Sequence, residues 1–382
     1  MFQNLVSSAI LNKVIIPIES STSFDLSNIY SESVLFFTSL QRYRYMIKFF
    51  NILVLLSLLL VSCKEESSYD KFQEVTSPKV MAWVRYEKLL SNIDTANIPS
   101  SINQIVEKYP DFSTIYFLRV INDAYKPDTS FLNIYDLYRK SDLIQMLNDT
   151  IPKLFGNLSR EEKDYADCFA RLQKLFPTVQ VPAVYTCFTE FGVGAFSTSD
   201  QSMAVSLEMY LGKGNKYYDT ETWPIFIQRT MNRENMVPNL MKNYIRNSIL
   251  PVFEPKTLLD NMIQQGKEIY ILNHLIPAEQ DTLVYDYSPS QLAFCRTNEK
   301  EIWSYFLAEK LVYSQDNKKI QKYVNPSPNS PGMPSDAPGR ISAFIGSRII
   351  EAYMERHENL DIKRLINNMN AQQILEEARY KP

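Results

Sequence analysis

The sequence predicts an α+β fold, mostly α-helical with a small antiparallel sheet. Glycine is scarce, at 9 of 382 residues, while tyrosine and phenylalanine are abundant, at 24 and 21. That balance excludes a disordered chain and a glycine-rich β architecture. Long stretches of helical period flank a single region rich in β-branched and aromatic residues. Helices, then a few strands, then helices is an α+β order.

The chain opens with 45 residues lacking glycine, a helical face or any targeting logic. They read as an upstream extension, residues 1–45, with Met46 the expected start. The alternative is a cytoplasmic leader ahead of a signal anchor, with Arg42 and Arg44 as its positive-inside charges. Residues 46–62 follow as MIKFFNILVLLSLLLVS: a start methionine, Lys48, and a thirteen-residue apolar run from Phe49 to Val61. A membrane span needs roughly 20 apolar residues, so this run is too short for one. A basic start, a short apolar core and a small residue before the cut make a secretory signal. Leu60-Val61-Ser62-Cys63 resembles a bacterial lipobox, which implies cleavage before Cys63 and lipidation of that residue. Residues 63–78 are polar and read as a tether. Their start, Lys64-Glu65-Glu66, resembles a weak surface-export signal of Bacteroidota lipoproteins.

The expected mature chain, Cys63–Pro382, is about 320 residues, enough for one large domain or two small ones, and 79–382 is taken as a single globular domain. It carries 36 basic and 40 acidic residues with no basic stripe, which argues against a nucleic-acid partner. Cys168, Cys187 and Cys295 have no CxxC spacing. An oxidising compartment permits one disulfide among them, and small buried apolar side chains are the favoured reading.

Within the domain, Val80–Ile93 fits helix and strand equally. Ser100 or Ser101 is placed as the cap of a helix that Pro110 ends, with Ile102, Ile105, Val106 and Tyr109 on one face. Ser113–Ala124 and Ser130–Leu147 keep the helical period. Ser159-Arg160-Glu161-Glu162 has the form of a capping box. The helix it opens turns Tyr165, Phe169, Leu172 and Phe176 inward and stops at Pro177. Val179–Thr189 and Met203–Tyr210 read as strands. Gly192-x-Gly194 and Gly212-x-Gly214 open no helix at phosphate-loop spacing, so they are assigned to turns. Asn235–Leu250, Thr257–Leu275, Ser288–Tyr313, Gly339–His357 and Asp361–Ala378 read as helices. Lys318–Pro338 is rich in proline and serine and reads as a loop.

From Val181 onward the chain resembles the gliding-motility lipoprotein B (GldB) family of the Bacteroidota. Four segments carry the resemblance: MAVSLEMYLG at Met203–Gly212, LLDNMIQQGKEIYILNHLIP at Leu258–Pro277, Cys295–Glu299 with Ile302-Trp303, and Pro338-Gly339-Arg340 with Gly346 and Tyr353. The resemblance implies an envelope lipoprotein of the gliding and associated secretion machinery. It implies an outer-membrane location, periplasmic or surface-facing, with the lipid membrane and envelope proteins as partners. The last three helices also resemble those of zincin-type metallopeptidases, a scaffold whose His-Glu-x-x-His helix sets two imidazoles on one metal. The nearest helix here, Asn235–Leu250, has no histidine. A non-catalytic lipoprotein without cofactor or metal is therefore the leading expectation. A hydrolase using an unrecognised site is the alternative.

The two histidines, His274 and His357, lie at helix C-termini, where the macrodipole favours them. Glu299 and Glu301 are two apart on a helix and face different ways, which favours salt-bridged or solvated roles over an acid/base pair. Arg340 begins a helix, where a cation opposes the dipole. That placement asks for a carboxylate partner, and Glu299 is the candidate for a structural clamp.

Overall fold

The core is built around a crossing of two glycine-bearing helices. The computed structural model describes residues 81–121, 130–198 and 201–382, all within the compact unit Ser68–Pro382. The segments expected as signal (residues 46–62) and tether (residues 63–78), with Cys63, lie outside these residues.

Val84–Arg85 forms β1, followed by α1 (Tyr86–Ser91), α2 (Ile98–Lys108) and α3 (Pro110–Ile115), which continues as a π turn to Val120. Asn97, not Ser100 or Ser101, caps α2, its side chain accepting from the Ser100 amide. Next come α4 (Phe131–Lys140) and α5 (Asp142–Phe155), divided at Ser141. The Ser159 capping box does not form. Ser159 is already the first residue of α6 (Ser159–Leu175), and Glu162 instead accepts from the Trp83 amide at 3.0 Å. Tyr165, Phe169, Leu172 and Phe176 are all buried, as their spacing predicts.

The sheet holds β2 (Val184–Cys187), β3 (Ala195–Ser197) and β4 (Met203–Ser206) beside β1, in the order β1-β2-β4-β3. It is mixed rather than antiparallel. β1 with β2 and β2 with β4 run parallel, and only β3 with β4 is antiparallel. Every residue of β2 and β4 is buried. Strands covered on both faces read as continuous apolar runs, which is the parallel habit. Beyond Ser206 the chain tightens into a 3₁₀ turn over Leu207–Tyr210, so the second strand is shorter than expected.

The second half contains α7 (Ile225–Gln228), α8 (Met236–Tyr244, extended as a π turn to Ile249), α9 (Leu258–Leu275) and α10 (Asp281–Tyr285). It continues with α11 (Pro289–Thr297), α12 (Glu299–Ala308), α13 (Asn317–Val324), α14 (Ile341–Arg356), α15 (Ile362–Asn367) and α16 (Ala371–Ala378). Thr257 and Asp260 form a capping box at α9, and Ser288 with Gln291 forms another at α11. The stretch Ser288–Tyr313 is thus two helices joined at Asn298. The expected loop at Lys318–Pro338 begins with helix α13, because Ile320, Tyr323 and Val324 recur at helical spacing and are buried.

α9 packs against α14 more extensively than any other pair of elements. A Cβ at Gly266 would lie 2.3 Å from the Gly346 carbonyl oxygen, and one at Gly346 would lie 1.8 Å from the Met262 carbonyl oxygen. The two backbones touch, and only glycine fits at either position. Cys168, Cys187 and Cys295 are buried free thiols, as the apolar reading expects. Among the described residues, no helix is long and apolar enough to cross a membrane.

Candidate functional site

Arg340 stands where α14 begins. It is 7 % exposed and adopts the left-handed backbone region, with φ 59°. Its Nη2 lies 3.4 Å from Glu268 Oε1 on α9, and its Nη1 lies 3.4 Å from Asp286 Oδ2 just past α10. Its carbonyl accepts from the Tyr287 hydroxyl at 2.9 Å. A buried carboxylate partner for Arg340 therefore exists, but it is not Glu299. Glu299 pairs with Arg348 at 3.0 Å and accepts from the Tyr380 hydroxyl at 2.9 Å. Arg348 lies about two turns further along α14, and it is that level of the helix that faces α12. Arg340, at the helix start, meets α9 and the end of α10 instead.

The network extends into α8. Arg246 grips Glu268 with a two-pronged fork, Nε to Oε2 at 2.6 Å and Nη2 to Oε1 at 2.7 Å. Lys242 pairs with Asp286 and donates to the Leu283 carbonyl at 2.6 Å. Arg229 feels the field of Asp286 and donates to Gln291 Oε1 at 2.6 Å. Burial pushes Lys242 below its usual range, with Asp286 opposing. Burial also raises Glu268, but Arg246 and Arg340 outweigh it and hold the carboxyl below its usual range. Arg229, Lys242, Arg246 and Arg340 thus face two carboxylates, and the network carries excess positive charge.

A pocket of about 290 Å³ opens over this network. Its floor is Lys242, Arg246 and Asp286, with Asn239 and Asn243 beside them. Its wall is the Gly192–Ala195 loop with Tyr210 and Trp223. That loop is entered through Glu190 and Phe191, both at positive φ. Non-glycine residues hold this region only when their surroundings insist. Glu208 does so here: its Oε1 accepts from the Thr189 amide, the Thr189 hydroxyl at 3.1 Å and the Phe191 amide at 3.4 Å. The Glu208 carboxyl is fully buried, and burial pushes it up to about 7 against those hydrogen bonds. Trp223 Nε1 donates to the Phe191 carbonyl at 3.1 Å and ties the wall together. A cleft of about 350 Å³ beside α6 and an open groove of about 680 Å³ between α1 and α2 are larger, but neither touches Arg340 or its partners.

Asn239 and Asn243 are one helical turn apart on α8 and both line the pocket. Asn239 Nδ2 donates to the Tyr210 hydroxyl at 3.4 Å and the Thr230 carbonyl at 3.3 Å. Asn243 Nδ2 donates to the Ala195 carbonyl at 3.3 Å, and its Oδ1 accepts from the Ser197 hydroxyl at 2.6 Å. A zinc peptidase sets two histidines at this spacing with a glutamate beside the first. Here the residue after Asn239 is Leu240, which is buried. Zinc takes thiolate, imidazole or carboxylate, so this donor set does not fit it. His274 and His357 each donate from Nδ1 to the carbonyl four residues back, at 2.7 Å, and lie on different helices. Among the described residues, no three histidine, cysteine or acidic side chains gather to hold a metal.

The model of the family described as gliding motility protein GldB matches residues 68–382, nearly the whole chain. This chain belongs to the GldB family. No curated protein and no solved structure matches it. Of the segments that carry the resemblance, Leu258–Pro277 is α9 with Gly266 and Glu268, and Pro338–Tyr353 brings Arg340 and Gly346. The GldB segments thus supply both the backbone crossing and the centre of the ion network.

Sequence reasoning missed Lys242, Arg246, Glu268, Asp286 and Glu208. A signal for the first three was present. Lys242 and Arg246 stand one turn apart in an apolar helix, and Glu268 lies among the apolar residues of α9. Charges inside a buried helix must find partners. Asp286 and Glu208 carry no comparable signal.

Proposed function

We propose that this GldB-family chain is a lipid-anchored component of the gliding machinery that binds a partner and performs no catalysis. Cys63 is the anchor, the outer membrane is the location, and the folded body faces the periplasm or the cell surface. The observation that carries the non-catalytic reading is the pair Asn239 and Asn243, amides lining the pocket at the four-residue helical spacing that a zinc peptidase fills with imidazoles. The neighbouring Lys242 and Arg246 are held in ion pairs with Asp286 and Glu268, which suits a fixed recognition surface better than proton transfer. Envelope proteins are the partners; a lipid membrane is engaged through Cys63 only.

Two measurements test this. Cells fed an alkyne fatty acid should label the protein, and Cys63→Ala should abolish the label; unchanged labelling defeats the anchor. Purified protein should hold no stoichiometric zinc and cleave no peptide library. One zinc per chain with chelator-sensitive cleavage defeats the non-catalytic reading.

A further inference from the structure

The pocket over the Arg340 network lies beside an excess of positive charge. Arg229, Lys242, Arg246 and Arg340 face Glu268 and Asp286, two cations more than the carboxylates balance. Glu208 reaches Tyr210 on the pocket wall with its field, and even ionised it leaves a positive excess. Lys242 and Arg340 are buried and spend their charge on these two carboxylates. Arg246 is different. Its side chain is 49 % exposed, it lines the pocket, and only Nε and Nη2 are spent on Glu268. Nη1 remains for an incoming acceptor. Across the pocket Tyr210 accepts from Asn239, which leaves its own proton without an acceptor among the described residues.

Size and lining narrow the class. About 290 Å³ lies at the lower end of small-ligand pockets. Above the charged floor Val193, Met209, Trp223, Ile227 and Met231 form an apolar patch of wall, beside the polar Thr230, Asn239 and Asn243. A planar acceptor matches an arginine edge, and a short apolar stem matches that patch.

We propose that this pocket binds a carboxylate borne on a short apolar stem, received by Arg246 and Tyr210. The proposal deepens the binding role given above and rests on it. Two sources present this chemistry, the C-terminal residue of a polypeptide and a free carboxylic acid.

The test is calorimetric titration of the full-length protein with N-acetyl-leucine, N-acetyl-leucinamide, inorganic phosphate, and a hexapeptide ending in leucine with a free or an amidated C-terminus. Saturable binding of N-acetyl-leucine, weakened at least tenfold in the amide, is expected. Arg246→Gln should weaken it by a similar factor. Because that variant also disturbs Glu268, Ile227→Trp serves as a second, filling the pocket from a residue outside the ion network, and should abolish binding. A free-acid hexapeptide that binds more tightly than N-acetyl-leucine assigns the polypeptide source; equal affinity assigns the small acid. No heat with any carboxylate, equal binding of acid and amide, a preference for phosphate, or binding that survives Ile227→Trp each overturns the proposal. Turnover of a bound peptide would overturn the non-catalytic reading while leaving the binding site standing, so the two failures separate.

Discussion

Replacing Gly346 by alanine should reverse the sign that helix propensity gives it. In the interior of an ordinary helix, glycine to alanine gains about 1 kcal/mol. At Gly346 the new methyl would lie 1.8 Å from the Met262 carbonyl oxygen and 2.5 Å from its carbon. Both are backbone atoms of α9, so no side chain can rotate away. Relief requires α9 and α14 to separate by more than an ångström along the largest helix contact in the molecule. Each carbon pair pulled out of contact forfeits about 0.1–0.2 kcal/mol, and a crossing of two helices holds dozens of such pairs. Overpacking of a close-packed core costs about 1–3 kcal/mol and more where the backbone must move. A loss of about 3 kcal/mol or more is expected after the propensity gain is subtracted. Gly266→Ala should cost less, because its nearest contact is 2.3 Å. The double variant should cost clearly less than the sum, since helices already forced apart admit the second methyl. Urea unfolding followed by far-ultraviolet circular dichroism measures all three. A Gly346→Ala protein as stable as the parent, or more stable, would refute the backbone contact.

Three further outcomes follow from the same geometry. Arg340→Ala should lose about 3 kcal/mol, the lower end for breaking a buried pair, because Glu268 keeps Arg246 and Asp286 keeps Lys242; a loss under about 0.5 kcal/mol would be that of a surface residue. The Glu208 carboxyl, raised from 4.5 to about 7, holds its proton more tightly folded than unfolded, so its contribution is full below pH 4.5 and is lost as pH rises through 7, by about 3 kcal/mol. Glu208→Gln mimics the protonated form, and the stability difference from the parent should change across that window; a constant difference refutes the assignment. Expression from Met46 should give the same mature mass and full export as expression from Met1, and export only from Met1 would show that residues 1–45 belong to the protein.

The helical body was legible because its signal is local. Tyr165, Phe169, Leu172 and Phe176 recur at helical spacing and are buried as that spacing requires. Caps were less legible, because several polar residues compete for one position. Asn97 outcompeted Ser100 and Ser101, lying where its side chain meets the third amide of its helix. Glu162 left its expected capping role because the Trp83 amide, distant in sequence, needed an acceptor. Strand direction was not legible at all. β2 and β4 look alike as segments, and their parallel pairing depends on β3 lying outside β4 at the sheet edge.

The clamp shows how far local reasoning reaches at a site. A cation at a helix start opposes the dipole, so Arg340 had to have a carboxylate, and it has two. Which carboxylates was a question of helix phase. Arg340 and Arg348 differ by eight positions, about two turns, yet they meet different neighbours, Glu268 with Asp286 and Glu299 with Glu351. The choice is made by the glycine crossing. With Gly266 and Gly346 in backbone contact, Glu268 on α9 lies level with the start of α14 rather than its middle. Glu268 is in turn within reach of Arg246 on α8, and α8 carries Asn239 and Asn243 into the pocket. The residues that carry the GldB resemblance therefore act at a distance. Two glycines that touch no ligand set the register that places positive charge beneath the pocket, and any loosening of that register should be read at Arg246 as well as in stability.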